Sequence, residues 1–297
     1  MLEIRDVTKR FGDVVALDGT NFSVAPGRIV GFLGPNGAGK TTTMRAIFGL
    51  VRLDRGEVRW RGKRVGPEER ARFGYMPEER GLYPKMKVGE QLTYFAELSG
   101  MSEESATEAV AGWLERLHLG DRADARLEEL SHGNQQRVQL AAAIVHDPEL
   151  AVLDEPFSGL DPLGVESLAE LLKQIAAMGV AVVFSSHQLD LVEDVCEDVV
   201  IIDHGRVVMA GVVEELKAAS PHRSLEVTVN GQPWVPILPS GTVTKQGGRL
   251  RVLIDATADV EKILAAAHQA GEVTSFAFEP PSLTDLFLEA VSEGRVA

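Results

Sequence analysis

One cysteine, Cys196, stands in a chain of 297 residues, which excludes a disulfide framework and any cysteine-built metal centre. No run of about 18 apolar residues occurs, so no segment has the length and character of a bilayer-spanning helix. The first residues are polar and strand-like where a secretory leader would be basic and then apolar, and a cytosolic protein is expected. Positive charge is also short. Thirty Lys and Arg face 44 Asp and Glu, a net charge of −14, which argues against nucleic acid as a partner, because such binding needs clustered cations to neutralise phosphates. The imbalance is uneven: residues 1–80 hold more basic than acidic side chains, whereas 81–221 are strongly acidic. The basic run from Arg52 to Arg72 reads as a solvated face in preference to an interaction patch. Internal repeats and low-complexity segments are absent as well.

What remains is a globular composition, 44% hydrophobic and 25% charged, with length for one large α/β domain and a smaller one. Short strands are expected at Leu2–Val7, Asn21–Val24 and, after the Pro26-Gly27 turn, Arg28–Leu33. Helical periodicity runs from Val88 to about Leu119 and again from Gly133 to Val145, a mostly helical insertion of about residues 85–148. Apolar strands return at Leu150–Leu153, Val180–Phe184 and Val199–Ile202 with helical segments between them, which predicts a mostly parallel sheet covered on both faces. The character changes near Ser220-Pro221. Strands at Leu225–Val229, Leu250–Ile254 and Val273–Phe278, a helix at about Asp259–Ala270, and a last helix after Pro280-Pro281 predict a separate α+β domain over 221–297, with Pro- and Gly-rich loops between Gln232 and Gly248.

Three motifs carry chemistry. Gly34-Pro35-Asn36-Gly37-Ala38-Gly39-Lys40-Thr41-Thr42 follows an apolar strand and opens a helix, the context a phosphate loop requires. Its glycines let backbone N–H groups curl round phosphate oxygens, Lys40 brings a point charge to the β/γ-phosphates, Thr41 offers a hydroxyl to Mg²⁺, and the helix N-terminus adds its dipole. Ala151-Val152-Leu153-Asp154-Glu155-Pro156 is an apolar strand ending in two carboxylates. That order suits a metal-holding Asp154 followed by a Glu155 that orients or activates water. Leu130-Ser131-His132-Gly133-Asn134-Gln135-Gln136-Arg137 precedes a helix with Ser131 as a plausible N-cap, a second anion-binding device.

With Ser158-Gly159-Leu160-Asp161 just after Glu155, these motifs make residues 2–220 resemble an ATP-binding-cassette (ABC) ATPase. The resemblance implies a phosphate-loop NTPase core with an antiparallel β subdomain and the helical insertion, ATP and Mg²⁺ as ligands, and a homodimer or paired cassette in which Ser131 and Gly133 of one protomer close over the ATP of the other. It further implies Phe11 as the aromatic on adenine, His187 in Ser185-Ser186-His187 as the contact to the γ-phosphate, and Asp161 as the acid that crosses the dimer interface. Two positions depart from the family. Glu78, in Tyr75-Met76-Pro77-Glu78, stands where the family has Gln sensing Mg²⁺ and water, a place from which its carboxylate can still bind Mg²⁺ beside Thr41 and Asp154, and His132 and Asn134 replace Gly and Gln of the usual signature.

Those departures, with Glu78-Glu79-Arg80-Gly81-Leu82-Tyr83-Pro84 and the C-terminal Pro281-Ser282-Leu283-Thr284-Asp285-Leu286-Phe287, resemble the ATPases of bacterial exporters loosely described as sodium or drug efflux systems. This subgroup implies a separate transmembrane permease and a peripheral location on the inner face of the cell membrane. The alternative is a soluble cassette ATPase of iron–sulfur assembly. A chromosome- or ribosome-associated cassette is weakened by the absence of a second cassette and of coiled-coil insertions.

Overall fold

Alternating apolar and polar side chains in Leu2–Phe11 (β1) and Val14–Val24 (β2) turn Leu2, Ile4, Val7 and Leu17 inward, the period-two pattern of a half-buried sheet. In this computed structural model, residues 1–79, 81–235, 242–246 and 249–294 are described. The two strands form a long antiparallel hairpin, Phe11 opposite Val14, and β1 also pairs with Arg55–Trp60 (β4), whose partner is Lys63–Arg64 (β5). The sheet order is β2-β1-β4-β5. β4 lies inside the basic run. Its Val58 and Trp60 enter the core, while Arg55, Arg59, Arg61 and Arg72 pair with Asp6, Glu57, Glu149 and Glu149 respectively, so much of that positive charge is matched locally.

Facing this sheet is a second one of six strands in the order β10-β9-β3-β8-β7-β6: Ile29–Leu33 (β3), Phe73–Met76 (β6), Leu150–Leu153 (β7), Ala181–Ser185 (β8), Asp198–Asp203 (β9) and Arg206–Val212 (β10). The pairs β3/β8, β3/β9, β6/β7 and β7/β8 are parallel. β3, β7 and β8 are buried at every residue, as continuous apolar runs in a doubly covered parallel sheet should be. The core lies between the two sheets, with Phe32, Val152, Val183 and Val200 meeting Ile4, Leu17 and Trp60. The helices of this part are Lys40–Ile47 (α1), Pro67–Arg70 (α2), Val88–Leu98 (α3), Glu103–Arg116 (α4), His132–Ile144 (α5), Pro162–Ala177 (α6) and Leu189–Val195 (α7). The expected helical stretch from Val88 breaks between α3 and α4, where Ser102 caps α4 by accepting from the Ser105 N–H.

Two close approaches set the geometry. A Cβ on Gly74 of β6 would lie 2.0 Å from the Ala143 carbonyl oxygen of α5, so α5 sits directly on β6. A Cβ on Gly31 of β3 would lie 2.3 Å from Val192 Cγ1 and 3.2 Å from Cys196 Sγ; the lone thiol is buried after α7, and burial pushes its pKa up.

The chain divides into two compact units, Met1–Ala210 and Gly211–Ala297. The sequence-based boundary at 220/221 falls after Val213–Ala219 (α8), and α8 belongs to the second unit, where it contacts Leu283–Gly294 (α10). There, His222–Val229 (β11) pairs antiparallel with Gln232–Trp234 (β12), Arg249–Asp255 (β14) and Val273–Glu279 (β15), and β14 with Thr242–Gln246 (β13). Leu225, Val227 and Ile254 pack on Ile263 and Ala267 of Val260–Ala270 (α9). The expected loop region Gln232–Gly248 thus contains β12 and β13; its residues 236–241 and 247–248 lie outside the described residues. Ser282 and Asp285 bond reciprocally at the start of α10, a capping box.

Candidate nucleotide-binding site

The loop Gly34–Gly39 leaves the buried end of β3 and delivers Lys40 as the first residue of α1. Pro35 and Ala38 close its turn through Ala38 N–H donating to the Pro35 carbonyl at 3.1 Å. Gly39 has φ +112°, and a Cβ there would lie 2.6 Å from the Ala16 carbonyl oxygen; only glycine suits both demands. At Gly37 the space is open, leaving the backbone free to face a ligand. Lys40 is 8% exposed, and its Nζ donates to the carbonyls of Gly34 (2.7 Å) and Pro35 (3.2 Å). Burial lowers its pKa, opposed by the negative charges of Glu155, Asp154 and Glu78.

Opposite the loop, β7 ends in the two carboxylates. Thr41 Oγ1 donates to Asp154 Oδ2 at 3.0 Å. Ser185, at the end of β8, donates its hydroxyl to Asp154 Oδ1 at 2.6 Å and accepts the Glu155 N–H at 2.8 Å, so one buried hydroxyl pins both residues. Glu155 has φ +54°, a left-handed conformation unusual for a side chain of this size and typical of functional turns. Its carboxylate is mostly buried, and desolvation raises its pKa against the opposing pull of His187 and Lys40. His187 Nε2 stands 3.1 Å from Glu155 Oε1, within ion-pair distance but without the alignment of a hydrogen bond.

These groups line one cleft of about 390 Å³ that includes Val14, Ala16, Asn36, Lys40, Thr41, Thr42, Glu78, Asp154, Glu155 and His187. The fit to Mg²⁺ is that of a substrate-shared ion: a hydroxyl and a carboxylate touch each other at the base, and no cluster of three or more His, Cys, Asp or Glu side chains forms a self-sufficient metal cage among the described residues. Mg²⁺ commonly takes one or two carboxylates and completes its shell with phosphate and water. Phe11 does not line the cleft. It is 51% exposed at the tip of the β1–β2 hairpin with Lys9 Nζ 5.0 Å from its ring centre, and its cross-strand partner Val14 is in the lining.

Ser131, Gly133 and Asp161 lie outside this lining as well. Ser131 caps α5, its Oγ accepting the Asn134 N–H at 3.4 Å; Asp161 caps α6, accepting the Gly164 N–H at 2.7 Å. The two helix starts touch: Gly133 faces Leu160, and the His132 ring lies where a Cβ on Gly159 would be, at 2.4–2.5 Å.

The family model described as ABC transporter matches residues 17–158, and that described as ATP-binding protein DrrA1-3-like, C-terminal domain, matches 211–291. The uncharacterized ABC transporter ATP-binding protein YhaQ of Bacillus subtilis is 42% identical, with 98% of each chain covered. The chain belongs to the ABC transporter ATP-binding family. Among other relatives, the Nod factor export ATP-binding protein I of Cupriavidus metallidurans is 33% identical over 97% of this chain and 96% of its own. The linearmycin resistance ATP-binding protein LnrL of B. subtilis is 32% identical over 97% of both. A solved ATP-binding subunit of an ABC transporter superposes with TM-score 0.68 at 33% identity, covering 73% of this chain and 92% of that one. A dimeric cassette bound to ADP and Pi gives 0.65 at 25%, covering 71% and 98%.

This ABC ATPase therefore has the mixed α/β cassette fold expected of it, binds ATP and hydrolyses it, and is the ATP-binding subunit of a transporter. Among its described residues no helix is long and apolar enough to cross a membrane. Sequence reasoning missed Ser185, quoted only as a neighbour of His187, and two glutamines of α5, Gln136 and Gln139. The available signal for the glutamines was a pair of amides three apart on a helix whose other inward residues are apolar.

Proposed function

We propose that the protein powers export through a separate transmembrane permease, with two ATP-loaded cassettes closing into a dimer and reopening after hydrolysis. The observation that carries this reading is the convergence of Lys40, Thr41, Asp154, Glu155 and His187 on one cleft. Bound Mg²⁺ would supply charge neutralisation at the phosphates, with Thr41 and Asp154 as its protein ligands and Glu78 nearby. Lys40 and the free backbone N–H groups of the loop and the start of α1 bind and orient the phosphates, Pro35 having none and Ala38 donating its own to the Pro35 carbonyl. Glu155 orients the attacking water and takes its proton, the role its raised basicity suits; His187 holds that carboxylate and reads the γ-phosphate. Phe11 supplies a stacking face for adenine beside Val14. Ser131 and Gly133 close on the nucleotide of the other protomer, and Asp161 crosses between them.

Export in preference to import is supported by relatives that span the whole chain and are named for export and resistance. Their coverage of the tail also disfavours the iron–sulfur assembly alternative. The reading puts this subunit on the inner face of the membrane.

Glu155→Gln keeps size and hydrogen bonding but removes the base. Hydrolysis should fall by about two orders of magnitude while ATP binding persists, and size-exclusion chromatography with Mg-ATP should show a trapped dimer that a further Ser131→Arg dissolves. An ATP-loaded Glu155→Gln protein that stays monomeric would refute unaided closure. Co-purification with a multi-span membrane protein checks the permease.

A further inference from the structure

Helix α5 begins at the Ser131 cap and runs beneath both acidic turns of the cleft, and two of its buried side chains are amides. Gln136, 6% exposed, donates through Nε2 to the carbonyls of Glu155 (3.2 Å) and Pro156 (3.0 Å). One turn on, Gln139, 4% exposed, donates through Nε2 to the carbonyls of Pro77 (2.7 Å) and Glu79 (3.4 Å). The first amide holds the main chain of one cleft carboxylate; the second straddles the residue bearing the other. Buried carbonyls in irregular turns need a donor, and leaving them unmet is costly. A hydrophobic side chain would fill the same volume without fixing either turn, so the amides supply direction as well as packing. The Gly74–Ala143 approach seats α5 on β6, and the His132 ring against Gly159 ties the start of α5 to the continuation of the Glu155 turn.

We propose that Gln136 and Gln139 are positioning residues that fix the Glu155 and Glu78 turns to α5, so that a nucleotide contact at Ser131 is conveyed along one rigid helix to both carboxylates of the same protomer. This rests on the reading of Glu155 as the water-orienting group. Gln136 acts on the attack geometry at Glu155; Gln139 acts on Glu78, which lines the same cleft as Lys40.

The test is Gln136→Met, which keeps length and burial and removes the donor, assayed in the full-length protein for folding by thermal unfolding, for binding with a fluorescent ATP analogue, and for single-turnover hydrolysis. Loss of a positioning hydrogen bond should lower the hydrolysis rate by about tenfold or more with ATP affinity within about twofold. In a Glu155→Gln background the same substitution should cost almost nothing further, because its route runs through the missing carboxylate. Gln139→Met should lower the rate in that background as in wild type, since it acts through Glu78. Should Gln136→Met not fold, Gln136→Asn, whose amide is too short to reach both carbonyls, reads the same quantities. Wild-type rates in the folded variant, or a full additional loss on top of Glu155→Gln, would overturn the proposal. Near-normal hydrolysis by Glu155→Gln alone would instead overturn the reading of Glu155, so the two failures are distinguishable.

Discussion

Glu155 is held in an uncomfortable state three times over: in its backbone, in its burial and in its charge. Because burial raises its folded pKa, the stability it allows is fully present below the ordinary glutamate range and declines as pH rises through the raised value. Glu155→Gln has no such loss. It should therefore melt higher than wild type near about pH 8, with the difference closing as pH drops below about 4; calorimetric scans across that range measure it, and a constant offset would show that charge is not the cause. Lys40 tells the opposite story. It is cationic in a site built for anions, so Lys40→Ala should abolish hydrolysis and weaken ATP binding by about tenfold or more, read by equilibrium binding, without unfolding the chain. That both residues line one cleft was foreshadowed in the sequence, because a glycine-rich loop between an apolar strand and a helix, and a carboxylate pair after an apolar strand, are patterns in the residue types themselves. Ser185 was not, since a serine ending a strand is ordinary until its hydroxyl is found between two carboxylate residues.

At the scale of elements, β3, β7, β8 and β9 were legible from their unbroken apolar runs, and α5 from its cap and periodicity, whereas β6, four residues interrupted by Gly74, was not. Nor was β4. Arg-Gly-Glu-Val-Arg-Trp has charged side chains on the outward positions and reads as surface until pairing with β1 shows that Val58 and Trp60 are the inward ones. β12 and β13 were hidden in the same way by Pro and Gly nearby, whose turn signals dominate strands this short. Contact between elements leaves no mark in one sequence at all: that α5 lies on β6 depends on Gly74 having no side chain. Gly74→Ala should push the Ala143 carbonyl away and destabilise the first unit by about 1–3 kcal/mol, measurable as a fall in the denaturation midpoint. It should slow hydrolysis more than it weakens ATP binding if α5 carries the carboxylate turns. Unchanged stability would mean that α5 can move off β6 freely.

For the molecule as a whole, the sequence places a change of character near Ser220, whereas the second compact unit begins at Gly211; α8, within it, contacts α10, a pairing that the composition of α8 does not announce. A chain ending at Val212 keeps β10 entire and every residue of the cleft lining, and it should fold and bind ATP. Circular dichroism and ATP titration check this, and an insoluble product would show that the second unit completes the first.

Cys196 has a consequence for watching such a machine at work. Its thiol is buried behind β3, crowded by Gly31 and Val192, and held in the protonated, unreactive form. Native protein should ignore a colorimetric thiol reagent until denaturant is added. A cysteine introduced at an exposed position such as Met178 would then be the single addressable handle on each protomer, so that a dye pair could report the approach and separation of two copies during turnover without first stripping the native sequence of its sulfur.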